Sequence, residues 1–414
     1  MRVLGLISGT SHDGIDAAIV DFAVDGGDGT LHGMVTHTAS TPYEPALRAR
    51  LAAALPPAQV TLAEVTVLDT LIGQAFAEAA HTAVEQDAPV DLIVSHGQTV
   101  FHWVDGGTAR GTLQIGQPAW IAERTGTAVL SDVRIRDITV GGHGAPLVSI
   151  LDALLLGGLG DAPAALNLGG IANVTVSSAD GVHAYDVGPA NALIDAVVTE
   201  HGLHPQGYDD GGRIAASGTA DPALLEVLLD EEYYRLAPPK STGKELFHLG
   251  YVHDAVRRAG TDPAPADLVA TLTELTVRTV VDALRGEKAD ALVVSGGGAR
   301  NPVIMAGLRR DLPDTRVLLS DELGVPADAK EAIAFALIGW CSAHGLPGTV
   351  PGGTGAREPR ILGTFTPGAA PLRLPAPRAQ APTSLRVHGH AAGPGRATGT
   401  GRAAGAGGAG GASA

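Results

Sequence analysis

The sequence predicts an α/β protein in which two related units face one cleft, and three observations carry that prediction. Short apolar runs alternate with amphipathic stretches of helical period. Two strand–turn–strand units of the same layout stand far apart in the chain, Val3–Phe22 and Ala165–Asp195. Glycine-rich turns follow the apolar runs, at the strand ends where open α/β sheets bind ligands.

The first unit sets the pattern. Apolar runs at Val3–Ile7 and Ile15–Phe22 flank a polar turn, Ser8 to Gly14. Gly9 and Gly14 allow positive φ, so the turn can expose backbone N–H groups, and Thr10 and Ser11 add hydroxyls. Asp13 and Asp16 are unexpected in a plain phosphate cradle. They suit one in which Mg²⁺, held through water, accompanies the phosphates. An ordinary hairpin turn is the alternative reading.

Helices are expected over Ala46–Ala54 and Thr61–Gln86, the latter opened by a Thr61/Glu64 capping pair, with Val65, Leu68, Ile72, Ala75 and Ala79 at helical spacing. Asp91–Ser95 reads as a buried strand ending at His96-Gly97-Gln98-Thr99, Ala128–Leu130 as the start of another, and Asp152–Leu156 as helix. In the second unit Pro189 suits a first helical position, with N–H groups open to an anion. Asp267–Arg285 is an amphipathic helix closed by Gly286; Asp290–Ser295 is a strand leading into Gly296-Gly297-Gly298; Lys330–Ala343 is an apolar helix. From Phe365 onward the composition turns to Ala, Gly, Pro and Arg, and reads as a disordered extension.

The 414 residues suffice for two domains. No run of 18 apolar residues suggests a membrane span and no signal peptide is visible at the start. The single Cys341, in an apolar run, fits a buried position in a reducing cytoplasm. A net charge of −16 argues against a nucleic-acid partner, and the five arginines beyond Thr364 leave the body more acidic still. An acidic ligand therefore requires local cations or a metal. Walker-type, G-x-S-x-G and H-E-x-x-H motifs are all absent.

Three glycine turns in order, at Ser8–Gly14, Leu168–Asn173 and Ser295–Asn301, match the actin, heat-shock ATPase and sugar-kinase superfamily, in which two phosphate loops and an adenosine loop close around ATP. Within it the chain resembles the anhydro-N-acetylmuramic acid kinase family. The resemblance rests on an ordered set: SGTSHDGID (8–16), SHGQTVFH (95–102), IGQPAWIAERTG (115–126), SDVRIRD (131–137), GGHGAPL (141–147), NLGGIANVT (167–175), DVGPANALID (186–195), PKSTGKELF (239–247), SGGGARNP (295–302), ADAKEAIAFA (327–336) and GGTGA (352–356).

The resemblance implies two ribonuclease-H-like (actin-like ATPase) domains around a central cleft, 1–145 with 346–364 and 146–345, followed by a disordered tail, 365–414. It implies ATP-dependent phosphorylation of 1,6-anhydro-N-acetylmuramic acid with hydrolytic opening of the anhydro ring, giving N-acetylmuramic acid 6-phosphate and ADP in peptidoglycan recycling. Asp186 matches the catalytic aspartate that deprotonates water, a helix cap being the alternative. Gly9, Thr10, Ser11, His12, Asp13, Gly14, Ile15 and Asp16, with Gly169, Gly170 and Asn173, are implied around the ATP phosphates. Gly296, Gly297 and Gly298 are implied at adenine. His96, Gln98, Arg134, Asp137 and Asn191 are implied at the sugar. Arg134 is there the fork for the lactyl carboxylate, or else a surface ion pair with Asp132 or Asp137. No side chain is implied to ligate a metal directly; Asp13 and Asp16 reach Mg²⁺ through water. The implied setting is cytoplasmic, without nucleic-acid or membrane partners, and a homodimer is left open. Val187, Ala190 and His143 depart from the family's usual Thr, Gly and Gln. Another small-molecule kinase of the superfamily and a catalytically silent nucleotide-binding scaffold are the rival readings.

Overall fold

The computed structural model describes residues 1–9, 12–25, 29–178, 181–238, 240–243 and 245–389. Thr10 and Ser11, and the tail from residue 390, lie outside the described residues.

Two sheets share one topology. In the first, β1 (Arg2–Ser8), β2 (Gly14–Val24) and β3 (Thr30–Pro42) form an antiparallel meander. β4 (Leu92–Asp105) lies parallel to β1 and carries the hairpin strand β5 (Thr108–Ile115), and β6 (Val129–Ser131) lies parallel to β4. In the second, β7 (Pro163–Leu168), β8 (Ile171–Ser178) and β9 (Gly181–Pro189) repeat the meander, β10 (Ala291–Ser295) lies parallel to β7, and β11 (Arg316–Leu319) parallel to β10. The spatial orders β3-β2-β1-β4-β6 and β9-β8-β7-β10-β11 are the same ribonuclease-H-like arrangement, twice.

The continuous apolar run of β1 follows from burial on both faces. Val3 and Ile7 join one core with Ala18, Val20 and Phe22 of β2; Leu4 and Leu6 join another with Ile15, Ala17 and Ile19. The helix Leu62–Gln86 covers the second face, its first turn capped by Thr61 Oγ1 accepting from Glu64 N at 3.1 Å. The helix Lys330–Ala343, apolar all round, is buried on the first face. It approaches so closely that a Cβ on Gly5 would lie 2.0 Å from Ala332 O, and one on Gly339 2.2 Å from Val94 Cγ2. Cys341 sits within it, buried, and burial pushes its thiol up to about 12.

Several expectations need correction. The helix Lys330–Ala343, which the sequence division assigns to the second unit, packs on the first sheet, and Ser149–Leu156 lies between the two sheets, with Leu151 and Leu155 in the first core and Leu156 against Ala165 and Val293. β3 was not anticipated, because only Leu31, Gly33 and Val35 alternate inward among polar residues, and β4 runs ten residues past Ser95. Pro189 ends the edge strand β9, where its missing N–H is tolerated, and the helix begins at Asn191. Gly286 lies inside the helix Pro265–Glu287, which closes at Lys288 in the left-handed region (φ 55°). Residues 365–389 are not disordered. β12 (Thr364–Thr366) pairs with β6, and β13 (Ser384–Gly389) runs parallel to β3 with Leu385 and Val387 buried. Among the described residues no helix is long and apolar enough to cross a membrane.

Gly5→Ala should push the helix Lys330–Ala343 off β1, because the contact is with backbone atoms that cannot rotate away. The expected cost is about 1–3 kcal/mol, read as a lower urea midpoint; an unchanged midpoint would contradict this packing.

Candidate active site

Three cavities follow one another along the strand ends. One of about 540 Å³ is lined by Asp186, Lys240 and His143. The next, about 250 Å³, shares Pro146 and Asn173 with it and is lined by Lys330 and Glu331. Gly296 lines that second cavity and its neighbour Gly297 the third, about 310 Å³, together with Asn191, Tyr208 and Asn301.

The first glycine turn is held by its neighbours. Ser8 Oγ lies 2.7 Å from both Gly14 O and Gln98 Oε1, and Gln98 Nε2 donates to Gly9 O at 3.2 Å. Gln98 is fully buried, so it braces this turn rather than lining a cavity. His12 takes a left-handed φ of 52°, its N–H donating to Gly9 O, and burial lowers its pKa. Gly14 begins β2 against β3, where a Cβ would lie 2.5 Å from Thr41 O, and Ile15 is core. Burial raises the pKa of Asp16; Ser40 opposes this by hydrogen bonding, while Asp13 and Asp328 add to it. Glu331 is likewise raised by burial and by Asp16, against the pull of Arg134 and Lys330.

The second turn, Gly169-Gly170, is tied to the helix that follows β9. Ala190 N and Ala192 N donate to Gly170 O, Asn191 N to Gly169 O, and Asn191 Nδ2 to Leu168 O and Gly169 O (2.8–3.1 Å). The N–H groups expected to meet an anion are therefore engaged by the turn itself. In the third turn only Gly297 faces open space. A Cβ on Gly296 would lie 2.5 Å from Asn167 Oδ1 and one on Gly298 2.7 Å from Leu168 Cβ, so these two are glycine to let β10 pass β7.

Asp186 projects from β9. Its Oδ2 accepts from Thr242 N at 3.0 Å, its N–H donates to Lys240 O, and its carbonyl accepts from Tyr233 Oη at 2.8 Å. Burial raises its pKa; the Thr242 N–H pulls the other way and Glu245 adds to the rise. The opposite wall is the loop of Gly352 to Gly355, which reaches β9 because Gly352 has no Cβ: one there would lie 1.6 Å from Val182 O.

Asp137 is fully buried. It accepts from Gly144 N at 2.8 Å and Thr354 Oγ1 at 2.7 Å, clamping the His143 loop to the Gly352–Gly355 loop. It holds the wall rather than lining it. His96 is also buried, with Nδ1 2.8 Å from Gly97 O, so that ring nitrogen carries the proton and Nε2 accepts from Arg134 Nε at 2.8 Å. Burial first and Arg134 second push His96 down to about 3. Arg134 makes no ion pair among the described residues, and burial lowers its pKa. The surface pair with Asp132 or Asp137 does not form, and Arg134 does not line the Asp186 cavity.

Two cations escaped the sequence reading although both lie in quoted motifs. Lys330 is buried, paired to Asp152 Oδ1 at 2.6 Å and donating to Ser295 Oγ at 2.9 Å. Lys240 reaches into the Asp186 cavity. Of the three departures, Val187 and Ala190 are buried and line none of the three cavities; only His143 lines one.

A family model described as anhydro-N-acetylmuramic acid kinase matches residues 1–368. The chain belongs to the anhydro-N-acetylmuramic acid kinase family. It is 52% identical over 393 residues to a Streptomyces coelicolor protein of that name, covering 94% of this chain and all of that one. To its Rhodococcus erythropolis counterpart it is 51% identical over 399 residues, covering 94% and 99%. Among solved structures, a ROK family glucokinase from Streptomyces griseus in complex with glucose and AMPPNP is 14% identical with a TM-score of 0.36, covering 82% of this chain and 99% of that one. Component A of the Acidaminococcus fermentans (R)-2-hydroxyglutaryl-CoA dehydratase is 13% identical with a TM-score of 0.40, covering 81% and 96%.

Removing one partner of the buried pair, Lys330→Met, should cost about 3–5 kcal/mol by leaving Asp152 charged and alone. The double variant Lys330→Met/Asp152→Leu should regain most of that stability. Urea unfolding of the three proteins checks this, and equal losses in the single and double variants would contradict it.

Proposed function

We propose that the chain phosphorylates 1,6-anhydro-N-acetylmuramic acid with ATP, opening the anhydro bridge with water, and that Asp186 is the base. The observation that carries the assignment of the base is a carboxylate half-removed from water in the largest of the three neighbouring cavities, with Oδ2 fixed by Thr242 N–H. Water attacks the anomeric carbon and passes a proton to Asp186. The C1–O6 bond breaks, O6 attacks the γ-phosphorus, and ADP leaves. The products are N-acetylmuramic acid 6-phosphate and ADP, which returns a peptidoglycan fragment to cytoplasmic amino-sugar metabolism.

The order of the cavities supports this reading. In this reading the sugar occupies the cavity beside Asp186, the phosphates the middle cavity at Asn173, Gly296 and Lys330, and adenine the third against Gly297, Asn191 and Tyr208. Gln98 and Asn191 hold the turns, Asp137 holds the wall of the sugar cavity, and His96 holds Arg134. No three side chains among the described residues gather as direct metal ligands. Asp16, destabilised as an anion by burial, Asp13 and Asp328, and Glu331, destabilised by burial and by Asp16, suit a Mg²⁺ ion that keeps its water and travels with the phosphates. Such an ion would offset phosphate charge where this chain has mostly acids. Val187 and Ala190, as core residues, leave the site intact, which favours an active enzyme over a silent scaffold.

ADP release by the purified protein with Mg-ATP should be stimulated by the anhydro sugar. Asp186→Asn should lower the stimulated rate about 10²–10⁴-fold. No stimulation of the wild type, or an undiminished Asp186→Asn rate, would overturn the proposal.

The pH profile follows from the direction of the shift. Asp186 serves as base only when ionised, so the rate falls as pH drops through its raised pKa, at a higher pH than for an ordinary aspartate. Glu245→Gln removes a repelling charge and should move the acid limb of kcat/KM to lower pH. A limb that stays in place or moves upward would contradict this.

A further inference from the structure

We propose that Lys240 is the specificity-determining residue that recognises the carboxylate of the sugar. The idea rests on the sugar occupying the Asp186 cavity, as proposed above. Among the described residues Lys240 is the one lysine or arginine lining that cavity. Its Nζ donates to Tyr233 O and Tyr234 O, both at 3.3 Å, and stands 4.7 Å from the centre of the Tyr233 ring. These contacts fix the ammonium without neutralising it. No carboxylate among the described residues lies within ion-pair distance of it, and burial lowers its pKa, as expected of a cation lacking a counter-ion. An ammonium has three donors; the two long carbonyl contacts leave capacity for an anion.

The backbone ties this cation to the chemistry. Asp186 N–H donates to Lys240 O, and Tyr233, whose ring faces the ammonium, donates its hydroxyl to Asp186 O. A carboxylate held by Lys240 therefore sets the sugar in register with the base. Arg134, the cation expected from the family resemblance, is engaged by His96 outside this cavity. In an acidic protein, one cation beside the sugar selects an anionic sugar over a neutral one of the same shape.

The test compares binding of 1,6-anhydro-N-acetylmuramic acid and of its lactyl methyl ester, by calorimetry, to wild type, Lys240→Met, Lys240→Arg and Arg134→Met. Wild type should prefer the acid by about 10- to 100-fold, the range of a charged hydrogen bond. Lys240→Met should bind acid and ester equally, with ester affinity and KM for ATP unchanged, and Lys240→Arg should keep a preference for the acid. A preference retained in Lys240→Met, or abolished in Arg134→Met but not in Lys240→Met, overturns the inference. If wild type binds neither compound, the assignment of the sugar to this site fails first. The unaltered ester affinity distinguishes loss of recognition from loss of fold.

Discussion

The buried ammonium of Lys330 is the constraint on which the rest depends. A charge so far from water is tolerated only with close partners, and it finds them in Asp152, on a helix of the first core, and Ser295, at the end of the second sheet's β10. That requirement fixes three segments to one point. The helix beginning at Lys330 is in turn locked on β1 through Gly5 and Gly339, so the point cannot drift along the sheet. The two sheets meet with defined geometry at the floor of the middle cavity, and the third glycine turn starts there.

From this floor the charges sort by position. Acids gather around Asp16, Asp328 and Glu331, while positive charge is rationed to side chains whose surroundings hold them rigidly. Arg134 is oriented by a histidine kept neutral, so the arginine's charge is not cancelled by the residue that aims it. Lys240 is aimed by carbonyls and a ring for the same effect. Holding a cation with neutral groups preserves its field for a ligand, whereas an acidic partner would spend that field internally.

The α/β class, the three glycine turns and the apolar helix Lys330–Ala343 were legible because each leaves a local trace: an apolar run, a glycine cluster or a helical period. The repeat of the meander was visible as two similar segments, and the shared sheet order gives it substance. What stayed hidden depends on partners distant in sequence. Lys240 and Lys330 are single residues whose meaning lies in what surrounds them. Gln98 and Asp137 were expected to touch substrate, but they brace loops, because a polar side chain's burial is set by the fold and not by its motif. β3 and β13 were obscured by outward polar residues; each reveals its inward face only when the other lies beside it.

β13 stands at the outer end of the first sheet. It lies beyond residue 368, where the family match ends, and covers the open side of β3 over six residues. Without it, the N–H and C=O groups of β3 would face outward as a template for any extended chain, including another copy. The stretch that composition alone marks as a passive appendage is thus the outermost strand of the first sheet, and it moves that sheet's edge from β3 to the six residues of β13.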